Sequence, residues 1–175
     1  MILSVIFLGF ITIQRLAELA IARRNTRRLL AQGAFEIGAG HYPLIVLLHA
    51  AWLGGLWFLA WDRPVNLPLL AVYLVLQALR LWVLLTLGER WTTRVIILPG
   101  APLVTGGPFR FLSHPNYAVV VAEIAVGPLA FGLVGYALIF SVLNALILWL
   151  RLSVEGPALA ASNTVGPSTS HPTAG

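Results

Sequence analysis

Long apolar runs alternate with short polar segments along the 175 residues of the chain. A helix that crosses a bilayer needs about 20 mostly apolar residues. Three runs meet this requirement: residues 2–21, 43–61 and 67–87. A fourth run, residues 118–150, is too long for one crossing, and glycines and a proline interrupt it near its middle. The pattern predicts an all-α polytopic bundle of three full spans and a C-terminal helical hairpin, about five membrane helices in all, with no strand.

Composition and charge placement support a membrane protein. Apolar residues make up 59% of the chain and charged residues 10%, which is far from a soluble composition. All eleven basic residues are arginine, and most follow the first run or lie between the third run and the hairpin. This is the distribution of cytoplasmic loops rather than a nucleic-acid footprint, so no nucleic-acid partner is expected. The N-terminus is predicted outside, and the segment 88–113, both hairpin ends and the C-terminus are predicted at the cytoplasmic face.

The remaining organisation is simple. The first run lacks a basic start and is followed by arginines, so we interpret it as a retained anchor rather than a signal peptide. Residues 1–157 are predicted to form one domain, and residues 158–175, rich in Ser, Thr, Gly and Pro, a disordered low-complexity tail. The chain has no cysteine, and its four histidines are scattered, so neither a thiolate nucleophile nor a metal site is expected.

Polar residues inside the predicted spans need partners, because an unpaired charge in lipid is costly. The first span holds Gln14, Arg15 and Glu18 within one turn, and the third holds Gln77 and Arg80. These residues could form a functional site, but we favour a structural role in which Glu18 and an arginine neutralise each other between helices. His49, alone on an apolar helix, is interpreted as a hydrogen-bonded packing residue.

The connector "LPGAPLVTGGPFRFLSHPNY", residues 98–117, is the most informative segment. Its glycines and prolines allow close approach of backbone to a ligand, and two apolar side chains can cover a flat ring. Pro115 suits the first turn of the next helix, where Ser113 or His114 could act as the cap. The free N–H groups of that turn, beside His114 and Tyr117, predict a site for a polar or anionic ligand. The alternative is a capped helix with an interfacial tyrosine.

The segment "RLSVE" ends the hairpin and places Arg151 and Glu155 four residues apart on one helical face. Such a pair is often a surface ion pair and no more. Here the hairpin topology returns the pair to the side of His114, where it would offer a cation and a carboxylate to the same ligand.

Together, the connector, the glycine-interrupted hairpin and "RLSVE" resemble the isoprenylcysteine carboxyl methyltransferase family, in particular its short bacterial members. The segments "QRLAELAIARRN" and "GERWTTRVIILPG" are also similar to that branch. The resemblance implies methyl transfer from S-adenosylmethionine to an oxygen of a lipophilic acceptor in a bacterial cytoplasmic membrane. It also implies that Arg151 lies near the acceptor. The implied cofactor-binding residues are Arg94, Pro102, Leu103, Val104, Phe109, His114, Pro115, Asn116, Tyr117 and Glu155.

Three positions depart from the family pattern. Ser113 stands where family members usually have arginine, and Ala118 and Val119 stand where a glycine often follows the tyrosine. Gly156 and Pro157, after Glu155, are expected to end the last helix. These departures keep open an alternative of another class, a non-catalytic membrane module that binds lipid or a protein partner. A transporter or channel fits less well, because the polar groups lie toward one end of the spans.

The chemistry depends on the acceptor, which the sequence does not identify. A carboxylate, such as that of a prenylated cysteine, is ionised at neutral pH, and Arg151 could position it. A phenol or enol, as in a long-chain phenolic or pyrone-like lipid, would need a base, for which His114 and Glu123 are candidates. Glu123 has the alternative of being a protonated or paired helix-contact residue. The expected partners are therefore a lipophilic or lipidated acceptor and membrane lipids, and the oligomeric state is left open.

Overall fold

The computed structural model describes the backbone of residues 1–164 and the side chains of residues 1–153 except His41. Five helices and one small antiparallel ribbon make up the fold, in the order α1 Ile2–Ala31, β1 Phe35–Ile37, α2 Tyr42–Ala60, α3 Leu67–Leu87, β2 Val95–Ile97, α4 Pro115–Leu129 and α5 Val134–Thr164. Four helices, α1, α2, α3 and α5, are long and apolar enough to cross a membrane, and α4 is a shorter apolar helix. The prediction of an all-α membrane bundle of about five helices is confirmed.

The first helix is longer than its apolar run. The apolar pattern ends at Ile21, but α1 continues to Ala31 through the arginine-rich segment. This extension packs through one face, where Ala22, Asn25 and Leu29 are buried. The Asn25 side-chain amide donates hydrogen bonds to the backbone carbonyls of Gly88 and Trp91, 3.1 and 2.9 Å away. Hydropathy therefore marked the lipid-exposed part of the helix, whereas tertiary contacts decide where the helix ends.

The C-terminal hairpin is present, as predicted. Helix α4 ends at Leu129, and the turn that follows places Gly132 at a φ of 71°, a left-handed conformation that glycine adopts without strain. Helix α5 then runs through Gly156 and Pro157 to Thr164, so the expectation that this pair ends the helix is wrong. The residues that follow the proline are mostly alanine, which has the highest helix propensity and favours continuation of the helix. The predicted tail thus begins inside α5, and residues 165–175 lie outside the described residues.

A two-stranded ribbon joins the α1–α2 loop to the segment after α3, which the prediction of no strand missed. The strands are antiparallel, with Phe35 opposite Ile97 and Ile37 opposite Val95. Each strand has three residues, and about 60 residues separate them, so neither leaves an alternating pattern long enough to recognise. The ribbon brings the N-terminal half of the chain to the connector.

The largest fully buried side chains of the described residues are aromatic. Phe7 packs edge-on against Tyr73 at 5.0 Å between ring centroids and stacks on Phe131 at 5.3 Å. Trp52 is fully buried and donates a hydrogen bond to the backbone carbonyl of Ile124, 3.2 Å away. Apolar side chains also cover the outside of the bundle, as expected for a surface in contact with lipid.

Four charged side chains in the interior of the bundle form one group, which we call the intramembrane ion cluster: Arg15, Glu18, Arg80 and Glu123. Both Glu18 oxygens accept from Arg80. The Glu123 carboxylate is fully buried and accepts from Arg15 at 2.8 Å and from Arg80 at 3.0 Å. The prediction that Glu18 pairs with an arginine between helices is confirmed. The cluster contains two cations and two carboxylates, so its formal charges balance.

Two neutral side chains complete the cluster, and a nearby histidine stands apart from it. The Gln14 amide donates to Glu18 at 2.9 Å, and the Gln77 amide donates to Glu123 at 2.8 Å. His49 Nδ1 lies 2.8 Å from the carbonyl of Ile45, one turn earlier in α2. This hydrogen bond confirms the interpretation of His49 as a packing residue that satisfies its own polarity.

Candidate active site

A cavity of about 760 Å³ lies at the end of the bundle where the ribbon, the connector, the start of α4 and the later part of α5 meet. Its volume lies within the range of small-molecule and cofactor sites. Ten of the residues singled out from the sequence line this one cavity: Arg94, Pro102, Leu103, Val104, Phe109, His114, Pro115, Asn116, Tyr117 and Arg151. The structure therefore brings together segments that are separated by up to 57 residues along the chain.

Two of the twelve residues predicted for the site are not among those lining the cavity. Glu123 lies two turns into α4 and is held by two arginines in the intramembrane ion cluster, which matches the paired alternative. Glu155 lies in α5, but its side chain is outside the described residues. Its predicted contact with the cofactor stays a prediction.

Sequence reasoning missed part of the cavity wall. The segment directly after α3 contributes Arg90, Trp91 and Thr92, and β2 contributes Val95 and its neighbours. The signal was present, because a tryptophan among arginines next to a span is typical of a membrane–water boundary. Nothing in the local pattern, however, indicated that this segment faces the connector.

The path of the connector requires a glycine at one position. Gly107 has a φ of 56°, and a Cβ at that position would lie 2.5 Å from the hydroxyl oxygen of Thr86 in α3. Only glycine allows this combination of left-handed backbone and close approach without strain. Earlier in the connector, the carbonyl of Pro102 accepts a hydrogen bond from Arg90. The connector is thus held at two points as it passes over the cavity.

The N-cap position of α4 is occupied by one of the two predicted residues, but not through its side chain. His114 is the N-cap residue, but its side chain makes no capping hydrogen bond. Its backbone carbonyl accepts from the N–H groups of Tyr117 and Ala118, at 3.1 and 3.3 Å. The imidazole instead stacks on the Tyr117 ring, with 5.2 Å between centroids and 10° between planes. The His114 imidazole is therefore held against the Tyr117 ring and makes no capping hydrogen bond.

Arg151 closes the site from α5. Its guanidinium lies 5.2 Å from the centroid of the Tyr117 ring, within reach of a cation–π interaction. It also donates a hydrogen bond to the carbonyl of Thr93, 2.9 Å away. The two ends of the hairpin therefore meet, as the topology argument predicted.

Arg94 is the second cation of the site with defined partners. It forms an ion pair with Glu36 of β1 at 2.7 Å, and its guanidinium lies 4.3 Å from the centroid of the Tyr42 ring. The hydrogen bond to Glu36 holds the pKa of Arg94 above its ordinary value, so this side chain is charged at any physiological pH.

Three lining residues carry a buried polar atom that has no hydrogen-bond partner among the described residues: Trp91 Nε1, Asn116 Oδ1 and Arg151 Nε. Buried polar groups are nearly always paired in folded proteins, so these atoms leave hydrogen-bonding capacity next to the cavity. The same cavity offers the apolar side chains of Leu103, Val104 and Phe109. A ligand that joins a flat ring to charged and hydrogen-bonding groups fits this set of residues.

A second, apolar cleft of about 300 Å³ lies between α3, the connector and α4. Its walls include Leu79 and Trp82 of α3 and Phe111 and Leu112 of the connector. These side chains are exposed on the outside of the bundle, and Phe111 exposes 74% of its surface. Pro115 lines both this cleft and the large cavity, so an apolar chain in the cleft would end next to the polar site.

The chain is similar to one protein family and to bacterial proteins from two organisms. The model of the isoprenylcysteine carboxyl methyltransferase (ICMT) family matches residues 69–161, just over half of the chain. "Uncharacterized protein YpbQ" of Bacillus subtilis (strain 168) is 37% identical over 159 residues, covering 88% of this chain and 95% of its own. An "Uncharacterized protein" of Haemophilus influenzae is 26% identical over 152 residues, covering 83% and 88%. No solved structure matches the chain. The chain belongs to the isoprenylcysteine carboxyl methyltransferase family, a family of membrane methyltransferases.

Proposed function

We propose that the protein is an S-adenosylmethionine-dependent O-methyltransferase that acts on the carboxylate or the phenol or enol hydroxyl of a lipophilic, membrane-dissolved acceptor. The observation that carries the proposal is the meeting of His114 and Tyr117 with Arg151 in one cavity, whose lining residues include buried polar atoms with no partner among the described side chains. Family membership supplies the class of reaction. The adjoining apolar cleft supports the lipophilic class of acceptor.

The residues of the cavity suit S-adenosylmethionine as methyl donor. Arg94 offers a cation to the carboxylate of the donor, and the side-chain amide oxygen of Asn116 can accept from its ammonium group. Leu103 and Phe109 offer apolar cover to a flat purine ring. When bound, this cofactor supplies a methyl group on a sulfonium, which is electrophilic without help from a metal.

The protein's own task in such a reaction is orientation. Transfer of a methyl group to oxygen is an in-line displacement, so the acceptor oxygen must be held on the side of the methyl opposite the sulfur, with water excluded. Arg151 is placed to orient an acceptor carboxylate, which is ionised at neutral pH. For a phenol or enol, His114 is the better candidate base, because it lines the cavity and Glu123 does not.

The acceptor and the donor are proposed to reach the site by separate routes. The apolar chain of the acceptor occupies the cleft between α3 and α4, whose outer wall faces the lipid side of the bundle. The water-soluble donor enters through the open cavity end, which the arginine distribution assigns to the cytoplasmic side of a bacterial membrane. In this orientation the N-terminus lies outside and the C-terminus in the cytoplasm.

Isothermal titration of the purified protein with S-adenosylhomocysteine tests the donor site. We expect micromolar affinity that falls at least tenfold in His114→Ala, about 1.4 kcal/mol. Arg151→Ala and Glu155→Ala are each expected to weaken donor or acceptor binding while the far-ultraviolet circular dichroism stays unchanged. Arg63→Ala, an exposed change at the opposite end of the bundle, is the matched control. No binding at millimolar ligand would instead favour a non-catalytic membrane module.

The acceptor class can be found by following the transferred methyl group. Membranes that contain the protein are incubated with donor carrying a labelled methyl group, and the label is then traced to extracted lipid or to protein. We expect it in lipid, as base-labile ester for a carboxylate or as base-stable ether for a phenol. Label in prenylated protein would point to a cysteine carboxylate, and no label above the His114→Ala background would contradict the proposed activity.

A further inference from the structure

Strand β1 and the first turn of α2 contact Arg94, which lines the cavity, and its neighbour Thr93, although β1 and the start of α2 precede the segment that matches the family model. We propose that Glu36 and Tyr42 are positioning residues, which fix Arg94 in the orientation that binds the donor and Arg151 in its place beside the donor site. The inference rests on the proposed function. It assigns a role in the site to the α1–α2 loop, which carries no residue of the predicted motifs.

The first contact of this arrangement is the ion pair between Glu36 and Arg94. The Arg94 side chain is 37% exposed, and a long side chain with that freedom would have to be immobilised when a ligand binds. Glu36 is only 17% exposed and is fixed by the pairing of β1 with β2 directly opposite Ile96. The carboxylate at 2.7 Å therefore holds a mobile cation against a rigid backbone before any ligand arrives.

The second contact is made by Tyr42, which contacts Arg94 directly and is linked to Arg151 through Thr93. The ring of Tyr42 lies 4.3 Å from the Arg94 guanidinium, and its hydroxyl is 3.1 Å from the Thr93 hydroxyl. The backbone carbonyl of the same Thr93 accepts from Arg151 at 2.9 Å. The side chain of one tyrosine thus fixes the short segment that orients Arg151.

The contacts continue from Arg151 to the connector motif without a gap. Arg151 lies over the ring of Tyr117, which in turn stacks on His114. A continuous series of contacts therefore runs from Glu36 in the α1–α2 loop to the start of α4. Because binding affinity improves when the binding groups are already ordered, loss of the loop contacts should weaken donor binding without removing any group that touches the donor.

Titration with S-adenosylhomocysteine of the full-length protein in detergent, with single and double variants, tests this role. We expect Glu36→Gln to weaken binding about three- to fivefold, the range of a partly exposed ion pair. In Glu36→Gln/Arg94→Gln the affinity should equal that of Arg94→Gln alone, because Glu36 acts through Arg94. Glu89→Gln, which removes the exposed ion pair with Arg28 at the same end of the bundle, is the matched control and should bind like the parent.

Tyr42 is tested by graded replacement. Tyr42→Leu removes both the ring below Arg94 and the hydroxyl next to Thr93, and we expect about a fivefold loss of affinity. Tyr42→Phe restores the ring and should recover about half of that loss on a logarithmic scale. A purely structural role would give a lower thermal stability in Tyr42→Leu and an unchanged affinity for the fraction that stays folded.

The outcomes separate the inference from the proposed function. If the parent protein does not bind S-adenosylhomocysteine, the proposed function fails and this inference fails with it. If the parent binds but Glu36→Gln stays within twofold, the inference alone is overturned. The same holds if the losses from Glu36→Gln and Arg94→Gln multiply in the double variant, since independent effects would mean that Glu36 does not act through Arg94.

Discussion

Replacing Glu123 by glutamine tests whether the intramembrane ion cluster holds α4 against α1 and α3. Glutamine keeps the shape of the side chain, but it leaves two arginines to share the single carboxylate of Glu18. Glu123 makes three polar contacts, with Arg15, Arg80 and Gln77, and polar contacts in membranes average about 0.6 kcal/mol each. Removing one partner of a buried ion pair costs about 3–5 kcal/mol in soluble proteins. We expect Glu123→Gln to lower the free energy of unfolding by about 3 kcal/mol. This is more than three average membrane contacts contribute, and it is at the low end of the cost in soluble proteins.

The assay is reversible unfolding in mixed detergent micelles with increasing denaturing detergent, followed by the fluorescence of the six tryptophans. A second substitution, Arg15→Gln, in the Glu123→Gln background restores the charge balance and leaves the Glu18–Arg80 pair intact. It should recover about 1–2 kcal/mol, because the uncompensated cation is then gone.

The control for this series is Glu89→Gln, whose ion pair with Arg28 is exposed and should contribute less than about 0.5 kcal/mol. The reasoning is refuted if Glu123→Gln is as stable as Glu89→Gln. It is equally refuted if Arg15→Gln adds its own destabilisation to that of Glu123→Gln, since charge balance would then not govern the cluster.

Two glycine substitutions test close packing, each beside an adjacent glycine as control. Gly55→Ala should destabilise the protein by about 1–3 kcal/mol in thermal unfolding, because its Cβ would overlap the Tyr136 phenol oxygen. Gly54→Ala, with open space at its Cβ, should be neutral, and equal losses at both positions would count against the packing argument. Gly107→Ala should cost about 1–2 kcal/mol and weaken S-adenosylhomocysteine binding, because of its positive φ and its contact with α3. Gly106→Ala, at a φ of −84° with open space, should leave binding unchanged, and a similar loss there would refute this account.

The spans could be predicted from the sequence because each membrane-spanning helix must by itself contain about 20 mostly apolar residues. Helix α3 begins and ends at the predicted residues, where Asn66 caps it and Gly88 follows it. The hairpin was also predictable, since glycines and a proline interrupt a run that is too long for one helix. The end of α1 was not, because contacts of Asn25 with the segment after α3 extend the helix past its apolar part.

The candidate site was partly predictable for a different reason. The connector and the residues of its motif line one cavity, because the two ends of a helical hairpin must return to the same side of the membrane. The placement of Glu123 was left between two alternatives, since its partners lie on α1 and α3, more than 40 residues away in sequence. Its spacing from His114 gives no information on which neighbouring helix supplies an arginine.

The sequence by itself determined the membrane class, the helices, the hairpin and the residue types at one end of the bundle, because hydropathy and turn chemistry act locally. The tertiary structure alone decided which charges meet inside the bundle and that Glu36 of β1 and Tyr42 of α2 contact the cavity residue Arg94. Both depend on contacts between residues far apart in the chain. Pairing of three-residue strands and of single ion pairs is selected by the packed fold as a whole, and it leaves no periodic pattern in the sequence.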